Sequence, residues 1–189
     1  MTATVSNWRS MTIADLPVVN AIAAAVHVDY PEDPAVFAER LTLHPGGCFV
    51  LDTPEGVGGY LISHPWHLEQ PPALNELLGS VPSPAPTYYL HDIALLPAAR
   101  GGGATAAILA TMAEHAATIA DTISLVAVGG TARFWQRFGF EPIKSEALAR
   151  KLTTYGGEAR YMLGPAEAIR TASANHGQQR RSQSVYRRD

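Results

Sequence analysis

The stretch Tyr88-Tyr89-Leu90-His91-Asp92-Ile93-Ala94-Leu95-Leu96-Pro97-Ala98-Ala99-Arg100-Gly101-Gly102-Gly103-Ala104-Thr105 decides how this chain is read. An apolar-rich strand runs out at Pro97, passes one cation and three glycines, and enters a run of small helix formers. The first N–H groups of a helix have no intrahelical acceptor. The helix dipole adds partial positive charge there, and Arg100 adds a full one. Glycines keep side chains out of the way, so the mouth suits an anion such as a pyrophosphate. The same glycines also serve a tight strand-to-helix turn. The stretch alone leaves both readings open. It lacks the G-x-G-x-x-G fingerprint with a later acid that a dinucleotide needs, and the lysine of a Walker loop.

Helical and strand-like segments alternate on either side. Upstream, Thr12 or Asp15 caps a helix whose apolar side chains (Leu16, Val19, Ile22, Ala23, Val26) repeat at helical spacing. Asp33-Pro34 starts a second helix over 34–43. Strands 48–52 and 57–63 form a hairpin around Thr53-Pro54-Glu55-Gly56. Residues 67–87 hold five prolines around a single helical turn, a loop long enough to be functional. Downstream, a long helix over 104–120 is followed by a buried strand over 122–128. Thr131 then caps a short helix to Phe138, which Gly139 ends. Two more strands fall near 140–143 and 159–163. The order gives an α/β (α+β) fold with a mixed sheet.

The chain has 189 residues, 47% hydrophobic and 16% charged, which suits one packed domain. Its net charge is −3, and no basic face stands out, so nucleic acid is not an expected partner. One cysteine, Cys48, excludes an internal disulfide framework and a Cys-rich zinc site. His64-x-x-His67 lacks further ligands, so no metal is expected. No apolar run approaches the ~18–20 residues of a membrane span. Residues 1–10 show no leader pattern, and the expectation is a soluble cytoplasmic protein. Five arginines and a single acid lie from Arg170 onward. That polar end is expected to be a disordered basic tail over 170–189, after a domain over 1–169.

The glycine turn resembles the acetyl-CoA signature of the GNAT superfamily of N-acetyltransferases, Arg/Gln-x-x-Gly-x-Gly/Ala. Here it reads Arg100-Gly101-Gly102-Gly103-Ala104-Thr105, with Thr105 departing at the last position. The family's later Phe-Tyr-x-x-x-Gly-Phe motif is similar to Phe134-Trp135-Gln136-Arg137-Phe138-Gly139-Phe140, with Trp135 in the tyrosine's place. The strand around His91 is similar to that of the arylalkylamine N-acetyltransferase branch, which carries two histidines one residue apart; Tyr89 replaces the first.

The resemblance implies a GNAT-type mixed, mostly antiparallel twisted sheet of six to seven strands flanked by helices. It implies transfer from acetyl-CoA to a primary amine of a small molecule by direct attack. A protein lysine or N-terminus, or a silent acyl-CoA-binding regulator, are the alternatives. The backbone of Ile93, Ala94 and Leu95 would bind the pantetheine arm. The N–H groups of Gly101, Gly102, Gly103, Ala104, Thr105 and Ala106 would hold the pyrophosphate beside Arg100. Phe134 and Trp135 would sit near the thioester. Since many relatives pair, a homodimer is among the implied partners.

A protonated amine cannot attack a carbonyl, so a base is needed. His91 leads, because imidazole titrates near neutrality. Strand alternation puts it on the face of Tyr89, Ile93 and Leu95, opposite Asp92, the runner-up. The indole of Trp135 can donate a hydrogen bond but not a proton, so Tyr89 or Tyr88 would supply an acid, or the thiolate leaves unaided. His64, Trp66 and residues 71–78 are weaker candidates for the amine pocket, His64 being expected on the surface.

Overall fold

The computed structural model describes residues 6–185, with side chains through residue 179. Residues 1–5, within the stretch inspected for a leader, and 186–189, the end of the expected tail, lie outside the described residues. Seven strands form one sheet in the order β1-β2-β3-β4-β5-β7-β6. They are β1 Asn7–Ser10, β2 Cys48–Thr53, β3 Gly56–Trp66, β4 Thr87–Leu95, β5 Thr122–Ala127, β6 Glu141–Pro142 and β7 Arg160–Pro165. Every neighbouring pair is antiparallel except β4 and β5. The expected mixed, mostly antiparallel sheet is therefore present, with β1 as a strand the sequence reading did not include.

Helices α1 Leu16–Val26 and α2 Pro34–Leu43 begin at the expected Asp15 and Asp33. They cover one face, burying Val19, Ile22 and Phe37 against Cys48, Val50, Tyr60, Ile62 and Ala94. Helix α3 Ala104–Ala116 covers the other face. There Ile108, Leu109 and Met112 pack on Leu61, Tyr88, Leu90, Ile123 and Leu125. Each such buried aliphatic side chain contributes about 1.5–3 kcal/mol. Helix α3 ends before the expected residue 120, because its last turn tightens. Thr118 N–H bonds His115 O and Ile119 N–H bonds Ala116 O, a three-residue pitch.

Helices α4 Ala132–Gln136 and α5 Glu146–Lys151 are short, and α6 Ala166–Val185 is the last element among the described residues. Over residues 170–185 the expected disordered tail is instead helical. Helix α6 packs along α3, with Ala166, Ile169 and Ser173 buried and the His176 ring 5.0 Å from Phe138. The composition is too polar for a large core. A stripe of small residues at helical spacing nevertheless lets α6 lie close to the alanine-rich α3.

Two irregularities in β4 open the sheet beside it. Ser63 pairs Leu90 while Ile62 pairs Asp92, so His91 is an extra, unpaired residue: a β-bulge. The bulge flips the side-chain parity. Tyr88 and Leu90 face α3, but Ala94 faces α1 and α2, and Ile93 returns to the α3 side. Second, β4 and β5 pair only from Tyr88↔Ile123 to Leu90↔Leu125. Beyond that point β4 stays on β3 and β5 stays on β7, so the two strands part company at the bulge.

Candidate active site

The gap between the parted strands is a cavity of about 470 Å³. His91, Asp92, Ile93, Ala94 and Leu95 form one wall, and Leu125, Val126 and Val128 the opposite one. Arg100 and Thr105 stand at one end, at the mouth of α3. Glu32, Tyr30, Leu74, Tyr89 and Tyr155 stand at the other, and Phe134 and Trp135 also line the cavity.

At the mouth, Gly101 and Gly103 have φ of 91° and 82°, the left-handed region that glycine adopts without cost. The first helical bond is Ala107 N–H to Gly103 O, 3.0 Å, so the N–H groups of Ala104, Thr105 and Ala106 precede the intrahelical ladder. A Cβ placed on Gly101 or Gly102 would meet nothing within 4 Å, so the loop is an open cradle. The Trp8 indole N–H donates to Ala104 O (2.9 Å), tying β1 to this helix end. Arg100 is exposed and lies over the cradle's edge, its Nε–H donating to Leu95 O at 2.9 Å. The cradle, its helix start and the cation fit a coenzyme A diphosphate.

Among the described residues, the far edge of β4 beyond Leu90 has no strand partner. Leu95 O accepts from Arg100, and the Ile93 backbone bonds the His27 ring. Ile93 and Leu95 thus present backbone groups to the cavity, while alternation turns those of Ala94 toward β3. The expected trio becomes a pair at alternate positions.

The bulge corrects the expected placement of the two titratable residues. His91 and Asp92 do not lie on opposite faces; both meet the connection between α1 and α2. His91 Nε2 is 3.0 Å from Glu32 Oε2, with side chains 4% and 8% exposed. Glu32 Oε1 accepts the Asn75 N–H at 3.1 Å. Burial pushes the Glu32 carboxyl up, but the His91 and Asn75 contacts outweigh it and hold the group below the usual range. Asp92 Oδ2 accepts from Tyr60 Oη (2.5 Å), and Oδ1 lies 2.8 Å from His27 Nε2. Burial raises Asp92, yet His27 and Tyr60 together keep it low; burial lowers His27, and Asp92 pulls it back above its ordinary value. Both Asp92 oxygens are engaged, which suits a structural anion better than a base.

The two tyrosines offered as acids are placed differently, and of the pair Tyr89 lines the cavity. Tyr88 faces α3, and its hydroxyl meets Ser63 and His44. The Tyr89 hydroxyl bonds that of Tyr155, which donates to Pro72 O at 2.7 Å. Burial lifts Tyr89 well above the phenol range, and a weaker acid is a poorer proton donor. Trp135 is buried, its ring against Phe134 and Phe140. His64, expected on the surface, is fully buried, its Nδ1 bonded to Pro65 O at 2.9 Å.

Glu32, His27 and Tyr155 escaped the sequence reading. Glu32 and His27 stand in or beside a loop between helices, and Tyr155 in a turn after α5, where no periodicity assigns a direction. The proline-rich loop does carry a signal. Its Leu74 reaches the cavity, and Glu39 fastens its backbone by accepting from Leu78 and Gly79 N–H, each at 2.8 Å. Among the described residues no group of three or more His, Cys, Asp and Glu is arranged to hold a metal ion. Among them also, no helix is long and apolar enough to cross a membrane.

The profile of the Acetyltransferase (GNAT) family matches residues 15–140, from the start of α1 to the end of the short helix and its glycine. The chain belongs to the GNAT family of acetyltransferases. It is an acyl-CoA-dependent N-acetyltransferase. Solved structures share the fold at low identity. The loading GNATL domain of CurA from Lyngbya majuscula has a TM-score of 0.68 at 14% identity, over 87% of this chain and 99% of that one. N-acetylglutamate synthase from Neisseria gonorrhoeae, solved with coenzyme A and N-acetyl-glutamate, has 0.62 at 14%, over 87% and 36%. The ribosomal-protein-S18-alanine N-acetyltransferase from Escherichia coli has 0.58 at 16%, over 86% and 94%. No curated protein sequence matches the chain significantly.

Proposed function

We propose that this GNAT acetyltransferase moves an acetyl group from acetyl-CoA to the primary amine of a small molecule, with His91 as general base. The observation that carries the reading is the continuity of one cavity from the α3 mouth to the Glu32–His91 pair. Acetyl-CoA supplies an activated acyl thioester. Ala104, Thr105, Ala106 and the glycine cradle would hold its diphosphate, with Arg100 adding charge. Ile93 and Leu95 would offer strand-like backbone bonds to the pantetheine arm, and Phe134 and Trp135 would wall the acyl end. His91 takes a proton from the amine. No hydroxyl among the sequence candidates is a suitable acid, so the thiolate leaves unaided.

Two features favour a small cationic amine, as in the arylalkylamine branch. Glu32 and Asp92 keep their negative charge, and Tyr30, Tyr89 and Tyr155 offer aromatic walls to a cation. The fastened proline-rich loop covers the acceptor end, which disfavours an extended peptide there. The test is a panel of small primary amines and peptides with acetyl-CoA and a thiol readout. Small amines are expected to release thiol, and His91→Ala to abolish release while keeping calorimetric affinity for coenzyme A. Turnover of peptides alone would overturn the acceptor assignment. Coenzyme binding without release for any acceptor would support a silent regulator.

A further inference from the structure

We infer that Glu32 is the positioning residue of the acyl-transfer base, fixing the His91 imidazole in the tautomer whose lone pair lies on Nδ1. The inference rests on the assignment of His91 as the base. An ionised carboxylate only accepts hydrogen bonds. Its oxygen is 3.0 Å from His91 Nε2, so Nε2 carries the hydrogen, and the neutral ring is basic at Nδ1. Both side chains are nearly buried, so bulk water cannot take the place of either partner.

The carboxylate is itself held from a second side. Its other oxygen takes the backbone N–H of Asn75, whose φ of 63° is a left-handed conformation that asparagine tolerates. The Asn75 side chain bonds Asp33 in both directions, Nδ2 to Oδ2 at 3.0 Å and Oδ1 from the Asp33 N–H at 2.6 Å. The α1–α2 connection and the proline-rich loop therefore clamp the carboxylate that orients the ring. In the transfer, His91 Nδ1 takes the amine proton as the nitrogen–carbon bond forms. The carbon–sulfur bond breaks with its electron pair going to sulfur. Glu32 then faces an imidazolium and stabilises it.

The test combines ¹⁵N NMR of the histidine rings in the full chain with kinetics on acetyl-CoA and 2-phenylethylamine. Subtraction of the His91→Ala spectrum assigns the His91 ring. At pH 8 the wild-type ring is expected as the Nε2–H tautomer. Glu32→Ala and the isosteric Glu32→Gln are expected to mix the tautomers, and Glu32→Asp to restore Nε2–H in part. Both charge-removing variants should lower kcat at least about tenfold, with KM for acetyl-CoA within about twofold. The acid limb of their pH profile should move to lower pH. A wild-type Nδ1–H ring, or Glu32 variants with an unchanged tautomer and pH profile, overturns the inference. Full activity of His91→Ala overturns the base assignment instead, whatever the tautomer.

Discussion

Arg100 Nε donates to the carbonyl oxygen of Leu95 at 2.9 Å, folding the guanidinium back over the last residue of β4. The bond joins the two parts of the proposed coenzyme site, the diphosphate cradle and the open strand edge. One Nε–H is used, and the fork retains its remaining donors for phosphate. Arg100→Ala is expected to weaken coenzyme A binding about tenfold in calorimetry, the size of one charge-assisted contact. The loss should shrink at high salt, because this site is exposed and screened. KM for acetyl-CoA should rise with kcat little changed. An unchanged affinity would remove Arg100 from the site.

Adjacent glycines of the cradle separate strain from occupancy. Gly101 has φ of 91° and Gly102 does not share that conformation, yet a Cβ on either meets no atom within 4 Å. Gly101→Ala is expected to cost about 1 kcal/mol of stability through backbone strain. Gly102→Ala is expected to leave the melting temperature within about 1 °C and still weaken coenzyme A binding, since its methyl enters the cradle. Paired melting and calorimetry decide it. Equal affinity for wild type and Gly102→Ala would mean the diphosphate is held elsewhere.

Asp92 and His91 are neighbours with opposed expectations. Asp92 neutralises His27 and accepts from Tyr60, so Asp92→Asn leaves a half-buried histidine without its anion. Breaking such a contact costs roughly 3 kcal/mol, read as a lowered urea midpoint. The rate constant of the folded variant should stay within about tenfold of wild type. His91→Ala leaves the Glu32 carboxylate without its imidazole and should cost stability as well, and its folded form should lose about 10²–10⁴ in kcat. The reverse pattern would make Asp92 the base.

Much of this arrangement was legible in the sequence. The glycine turn located the start of α3, proline and aspartate located α1 and α2, and β4 carried the residues that line the cavity. What alternation could not reveal was the bulge at His91. One extra residue depends on how β3 pairs with β4, a long-range choice that the strand's own side chains do not encode. Its effect is large, because it brings Asp92 round to the side of His91. Glu32 was hidden for a related reason. A loop carboxylate has no period, and only the packing of α1 and α2 aims it at β4. The polar composition of α6 concealed a small-residue stripe that tertiary contact with α3 makes helical.

A second pair of histidines, outside the proposed site residues, predicts acid sensitivity. His44 Nε2 lies 3.1 Å from His115 Nε2 and 3.0 Å from the Tyr88 hydroxyl, at the C-terminal ends of α2 and α3. Burial, then the neighbouring His115, pushes His44 down to about 4, and burial lowers His115 as well. Unfolded, both rings take up protons near pH 6.5. Between that value and about 4 the unfolded chain binds more protons than the native one. Stability therefore falls as pH drops through this window and is retained above it. Urea midpoints should decline from pH 7 to pH 4.5. His44→Gln/His115→Gln should flatten that decline, since the amides keep hydrogen bonding without titrating. The comparison subtracts the other ionisable groups, including the His27–Asp92 pair, whose raised histidine gives stability lost as pH rises. Equal slopes in wild type and double variant would show that these rings remain free to protonate in the native fold.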